Sequence, residues 1–175
     1  MQQVASLKPE VLFHLGDVYY AGTQQEEQSH FLDVCCQVFG NDVPLFSLWG
    51  NHDMYSGGAG YYRLPDHIGQ QSSYFRLRNA NWQFLAMDTG HNDNNPATVA
   101  GNRTSLMKVN GWSEADWHLA RINEPEGRRT VLLWHHQLFR PFGSVKDRKS
   151  GGPVPQRIRS ARKLGESYFW LDTIS

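Results

Sequence analysis

Val43-Pro44-Leu45-Phe46-Ser47-Leu48-Trp49-Gly50-Asn51-His52-Asp53 runs from an apolar stretch into a glycine and then directly into an amide, an imidazole and a carboxylate. The apolar part suits a strand buried on both faces. The same plan occurs twice more. Upstream, Val11-Leu12-Phe13-His14-Leu15 ends at Gly16-Asp17, and downstream Thr130-Val131-Leu132-Leu133-Trp134 leads into His135-His136. Helical signals lie between these runs. Thr23 and Glu26 form a capping box, after which Phe31, Leu32, Val34, Cys35, Val38 and Phe39 recur at helical spacing up to Gly40. Ser113 opens a second helix that runs to Ile122, and Asn79-Ala80-Asn81 sits between two strand-like runs as a hairpin turn. The pattern predicts an α/β domain whose polar clusters lie just past strand ends, where open α/β sheets take their ligands.

Composition narrows the function. The chain has 175 residues, 39% hydrophobic and 19% charged, which suits one globular domain. Seventeen basic side chains balance seventeen acidic ones, so a general nucleic-acid or membrane-surface binder is not expected. No apolar stretch is long enough to span a bilayer, and the N-terminus lacks a secretory pattern, so the default expectation is the cytoplasm. The adjacent pair Cys35-Cys36 reads as reduced thiols. Charge is uneven along the chain: residues 1–145 hold ten basic and fourteen acidic side chains, and residues 146–175 hold seven and three. The expected division is therefore a core over 1–145 and a basic loop with a divergent tail over 146–175.

Taken together, the three strand-end clusters offer a carboxylate from Asp17, an amide oxygen from Asn51 and an imidazole nitrogen from His135. Such a mixed O and N set suits Mn, Fe or Zn. Each cluster has a plainer reading as well. Gly-Asp after a strand is often only a turn, and a histidine pair at a strand end is often only a polar edge. Gly50-Asn51-His52-Asp53 is more specific, because few turns need a histidine between an amide and a carboxylate.

Gly16-Asp17-Val18-Tyr19-Tyr20, Gly50-Asn51-His52-Asp53, Met87-Asp88-Thr89 and Leu133-Trp134-His135-His136 stand in the order and spacing of the calcineurin-like metallophosphoesterases. The chain resembles that family from about Leu7 to Phe142. The resemblance implies an α/β/β/α fold, a β-sandwich flanked by helices, and hydrolysis of phosphate mono- or diesters at a dinuclear centre through metal-bound hydroxide. It implies Asp17 as the bridging carboxylate, Asn51 and His135 as ligands of the second metal, His52 as proton donor and Asp53 as the acid that orients it. Gly-Asp-x-x-Tyr resembles the purple acid phosphatase branch, which implies Tyr20 as a ligand of the first metal. His136 is a candidate for substrate phosphate, or a hydrogen-bonding residue at the strand end.

Two family motifs are not found. No Asp-x-His strand precedes Gly16, and no Gly-His-x-His follows His135, although Ser167-Tyr168-Phe169-Trp170 reads as a strand leading towards one. The expectation is an incomplete fold, truncated at both ends, with the second-metal site better preserved than the first. A single-metal or inactive domain that binds a phosphate ligand or a partner is the alternative. His91, in Gly90-His91-Asn92-Asp93, is expected in a polar loop near the cleft, and His14 as a satisfied core histidine.

Overall fold

The computed structural model describes residues 1–97, 105–124 and 127–136, together with the backbone of the strand Tyr168–Leu171. In chain order the elements are α1 (Gln2–Ser6), β1 (Leu12–His14), α2 (Gln24–Glu26), α3 (Asp33–Phe39), β2 (Leu45–Ser47), α4 (Leu64–Ile68), β3 (Phe75–Arg78) and β4 (Trp82–Ala86). They continue with the small hairpin β5 (Lys108–Val109) and β6 (Trp112–Ser113), then α5 (Glu114–Ile122), β7 (Arg129–Leu133) and β8 (Tyr168–Leu171). β1 and β2 pair in parallel, with Leu12 opposite Leu45 and His14 opposite Ser47. The second sheet has the order β3-β4-β7-β8, antiparallel at β3–β4 and parallel at β4–β7 and β7–β8.

Side-chain alternation turns these sheets into layers. Phe13 on β1 meets Phe75 on β3 and Phe84 on β4, and Leu48, Ala86, Val131 and Leu133 complete the core between the two sheets. Adjacent residues on the same strands point the other way, as a period of two requires. Leu85 and Leu132 pack with Trp134, Trp117 and Ile122 beneath α5. On the far side of β1–β2, Tyr19, Phe31, Leu32, Cys35, Trp49, Tyr61 and Leu64 form a separate cluster with the Gln24–Phe39 helix. The order helix, sheet, sheet, helix is the expected four-layer architecture. Each fully buried leucine in these cores contributes roughly 1.5–3 kcal/mol.

Local signals account for the element ends. Thr23 accepts from the Glu26 backbone N–H, and the Glu26 carboxylate accepts from the Thr23 N–H at 3.1 Å, so the capping box forms as the sequence predicts. The helix that follows is not uniform, because Glu27–Leu32 winds as a π-helix between α2 and α3. Both cysteines are free, Cys35 buried and Cys36 exposed. Ser113 caps α5 through the Asp116 N–H, and Asn79-Ala80-Asn81 closes the β3–β4 hairpin. The basic stretch from Lys146 to Lys163 lies outside the described residues. The backbone of Tyr168–Leu171 does form the strand expected near Ser167–Trp170, alongside β7. Among the described residues no helix is long and apolar enough to cross a membrane.

Candidate metal centre

Parallel pairing of β1 and β2 brings their C-terminal ends together, and β7 delivers His135 to the same place. Gly16 and Asp17 make the turn after β1 in the left-handed region, with φ of 96° and 61°. Glycine enters that region freely, whereas an aspartate held there carries local strain of the kind that clusters at functional sites. Gly50 has a different reason to lack a side chain. A Cβ there would run into the Asp17 carboxylate and lie 2.8 Å from His135 Cε1. The two glycines therefore let two backbone turns and an imidazole close around one carboxylate.

Asp17 Oδ2 lies 3.0 Å from His135 Nε2, and Asp17 Oδ1 accepts the His52 backbone N–H at 2.9 Å. His135 Nδ1 is 2.7 Å from the Leu15 carbonyl, which fixes Nδ1 as the protonated nitrogen and turns Nε2 towards Asp17. Burial works to raise the Asp17 carboxyl, but the His135 and His52 contacts outweigh it and hold it below its ordinary value. Burial works to lower His135, and the Asp17 carboxylate reverses this and raises it. Each group thus favours the other's charged form.

Asn51 is buried and donates from Nδ2 to the Tyr55 hydroxyl at 2.5 Å, which leaves Oδ1 as its acceptor face. His52 and Asp53 follow in a 3₁₀ turn, where successive side chains point about 120° apart. That geometry separates them. Asp53 turns inward, fully buried, and accepts from the Gly50 N–H at 2.6 Å, the Asp17 N–H at 3.2 Å and the Tyr19 hydroxyl at 2.5 Å. His52 turns outward, and its Nδ1 meets the Tyr20 carbonyl at 2.5 Å. The expected contact between Asp53 and the His52 ring is thus replaced by a backbone carbonyl, and Asp53 clamps the two strand-end turns together. Burial raises the Asp53 carboxyl, against the pull of its three donors.

Tyr20 is 72% exposed, with its ring beside that of His52, and its hydroxyl has no hydrogen bond among the described residues. His136 is buried, with Nδ1 2.9 Å from the Thr89 hydroxyl and Nε2 3.3 Å from Asp93 Oδ2. The structure thus brings Asp17, Asn51, His52, Asp53 and His135 to one strand-end junction, sets Tyr20 at its outer rim and draws His136 inward. Asp17 and His135 present atoms of the type that hold a transition metal, and the carbonyl on His135 Nδ1 is the usual outer partner of a ligating imidazole. The chemistry of these two donors therefore fits a cation, and the Asn51 amide oxygen is of a type that could add to them. Among the described residues no group of three His, Cys, Asp or Glu side chains closes on a common point.

Sequence reasoning missed several partners. Tyr19, Tyr55 and Asp93 each hold a site residue more than three positions away, and no spacing rule joins Tyr19 to Asp53 or Asp93 to His136. A second acid and histidine cluster was missed as well, although its spacing carries a signal. His118 Nε2 lies 3.1 Å from Glu114 Oε1, an i,i+4 pair on α5 whose spacing is itself the signal. Glu114 Oε1 also accepts the Asp88 N–H at 2.9 Å, and Asp88 Oδ1 lies 3.5 Å from His91 Nδ1. The Asp88 contact raises His91 above its ordinary value, against its burial.

The profile of the calcineurin-like phosphoesterases matches residues 1–158. The chain belongs to that family, whose members are generally dimetal-dependent phosphoesterases. Among solved structures, PhoD superposes with a TM-score of 0.63 at 15% identity, which supports the shared fold. The match covers 98% of this chain and 47% of PhoD, so the chain spans about half the length of that relative. No curated protein sequence matches it significantly.

Proposed function

We propose that this chain is the cation-holding core of a phosphoesterase that hydrolyses phosphate mono- or diesters at a dinuclear centre. The observation that carries this reading is the Asp17–His135 pair, two ligand-type atoms 3.0 Å apart with the imidazole tautomer set by Leu15. Asp17, Asn51 and His135 would hold one cation, and Asp17 would bridge to a second. Cations of the Mn, Fe or Zn type, when bound, neutralise phosphoryl oxygens and make water a nucleophile at neutral pH.

The remaining steps belong to side chains of this protein. His52 is fixed through Nδ1 by the Tyr20 carbonyl, so its free Nε2 is the nitrogen available to hand a proton to the departing alkoxide. Asp53 acts through the backbone, holding the Gly50 and Asp17 N–H groups so that Asp17 keeps its strained position. One observation favours a single-cation form as the second reading. Among the described residues only two acid or histidine side chains, Asp17 and His135, meet at the centre, which serves one cation better than two.

Metal content per folded chain after reconstitution with Mn, Fe or Zn tests the reading, together with hydrolysis of bis(p-nitrophenyl) phosphate and p-nitrophenyl phosphate. Two cations and turnover are expected. His52→Ala is expected to lower turnover about 10²–10⁴-fold with metal content unchanged. One cation and no turnover would establish the second reading, and parallel loss of metal in His52→Ala would remove His52 as proton donor.

A further inference from the structure

The turns after β1 and β2 set three rings side by side at the rim of the Asp17 centre. The Tyr20 and His52 ring centroids are 5.3 Å apart at 56°, and those of His52 and Tyr55 are 4.6 Å apart at 55°. Both separations fall in the range of favourable ring contacts. Two of the rings are pinned by hydrogen bonds: His52 through Nδ1 to the Tyr20 carbonyl, and Tyr55 through its hydroxyl to Asn51. The third, Tyr20, leaves 72% of its surface to solvent. Of the nearby acids, Asp53 turns into the core and Asp17 towards His135, while Glu26 accepts from the Ala21 backbone N–H beside Tyr20 and Asp93 acts on Tyr55.

We propose that Tyr20, His52 and Tyr55 form the leaving-group subsite, and that it selects phosphate esters whose leaving group carries a flat aromatic ring. This rests on the phosphoesterase reading with His52 as proton donor. A proton passed from His52 Nε2 requires the leaving oxygen to sit beside that ring, and the substituent on that oxygen then lies where Tyr20 and Tyr55 flank it. An aromatic substituent gains ring contacts there and covers the exposed Tyr20 face. An aliphatic substituent of equal size gains only the area it removes from water, because ring pairs contribute beyond their burial.

Calorimetric titration of the Mn-loaded chain with benzylphosphonate and with cyclohexylmethylphosphonate reads this preference without relying on turnover. The two probes share the phosphonate and differ in the planarity of the ring. Benzylphosphonate is expected to bind about tenfold more tightly. Tyr20→Leu, a change at an exposed side chain, is expected to bring that ratio to about one. Equal binding by the unmodified chain, or a preference that survives Tyr20→Leu, would overturn the subsite. Loss of Mn from Tyr20→Leu would assign Tyr20 to the metal and overturn it too. A chain that takes up no Mn, or takes it up and binds neither phosphonate, refutes the phosphoesterase reading and the subsite with it. Uptake of Mn with equal binding of both probes refutes only the subsite.

Discussion

Two strand-end junctions in this molecule hold acids against histidines, and they differ in what the acid oxygens face. At the end of β4, Asp88 and Glu114 are both fully buried, and their oxygens are met by the chain itself. Ser73 and the His91 N–H reach Asp88, while the Asp88 N–H, the Met107 N–H and His118 reach Glu114. At the ends of β1 and β2, the Asp17 side chain keeps 19% exposure, and among the described residues Oδ2 is met only by the imidazole of His135. The β4 acids are locked by three backbone N–H groups and the Ser73 hydroxyl in addition to histidine, whereas among the described residues Asp17 Oδ2 meets an imidazole, a partner of the kind that a cation replaces. Burial and a nearby histidine are common to both places. The identity of the donors separates a structural knot from the proposed cation centre.

The largest effect that could break this distinction is at Glu114. Removing its carboxylate strands the Asp88 and Met107 N–H groups and His118 in a buried site. At about 1 kcal/mol or more for each lost partner, Glu114→Ala is expected to destabilise the fold by about 3 kcal/mol. That corresponds to a melting temperature lower by about 10 °C in a chain of this size. Metal uptake by the folded protein should be unchanged. A Glu114→Ala chain of normal stability, or one that folds and has lost metal, would show that the β4 junction is not the purely structural one.

How far each junction can be read in the sequence follows the same division. The Asp17 centre was legible because Asp17 and Asn51 directly follow glycines, and His135 ends an apolar run, so strand, turn and ligand type appear together in a few residues. The four layers were less so: the alternation of Phe84 and Leu85, or of Val131 and Leu132, shows that two faces are buried but not which layer covers each. Strand ends were overdrawn. Val11–Leu15 reads as five residues, but its pairing with β2 stops at His14. The relation of His52 to Asp53 was misread for a geometric reason, since neighbours in a 3₁₀ turn diverge where a motif written as a string puts them together. Tyr19 and Asp93 were invisible because their partners lie 34 and 43 residues away, and only packing brings them close.

At the proposed cation centre the sharper test is Asp17→Asn. Asparagine tolerates the left-handed backbone that Asp17 adopts, so the change removes charge and leaves the turn in place. Cation affinity is expected to fall more than about a hundredfold, the upper end of what loss of an outer-shell partner alone costs. The melting temperature of the metal-free protein should move by only a few degrees. If both cations are held in the unmodified protein, both should be lost together. Retention of metal with normal affinity would remove Asp17 from the centre and erase the contrast with Asp88.

The smallest effect compares two histidines at the same strand ends. His135 has Asp17 as partner and is raised, whereas His14 has the Ser47 hydroxyl at 2.9 Å on Nδ1 and is pushed down to about 4 by burial, with the charge of His135 adding to it. His14 keeps some exposure as a residue, but its Nε2 is shut off from solvent and has no hydrogen-bond partner among the described residues. The signs are opposite. A raised histidine stabilises the fold below its ordinary value near 6.5 and loses that contribution as pH rises through its folded value. A lowered one must stay neutral in the fold while the unfolded chain takes up a proton, so stability falls as pH drops from about 6.5 towards 4. Between pH 6.5 and 5, His14 alone is expected to remove about 1.5 kcal/mol from the metal-free protein. Urea unfolding across that interval should show the loss, and His14→Phe, which puts a ring where one already lies 4.1 Å from Phe31 at a tilt of 33°, should flatten it. A slope that survives His14→Phe would mean that His14 is charged in the fold, and that the acid at the β1 end acts on both histidines rather than on His135 alone.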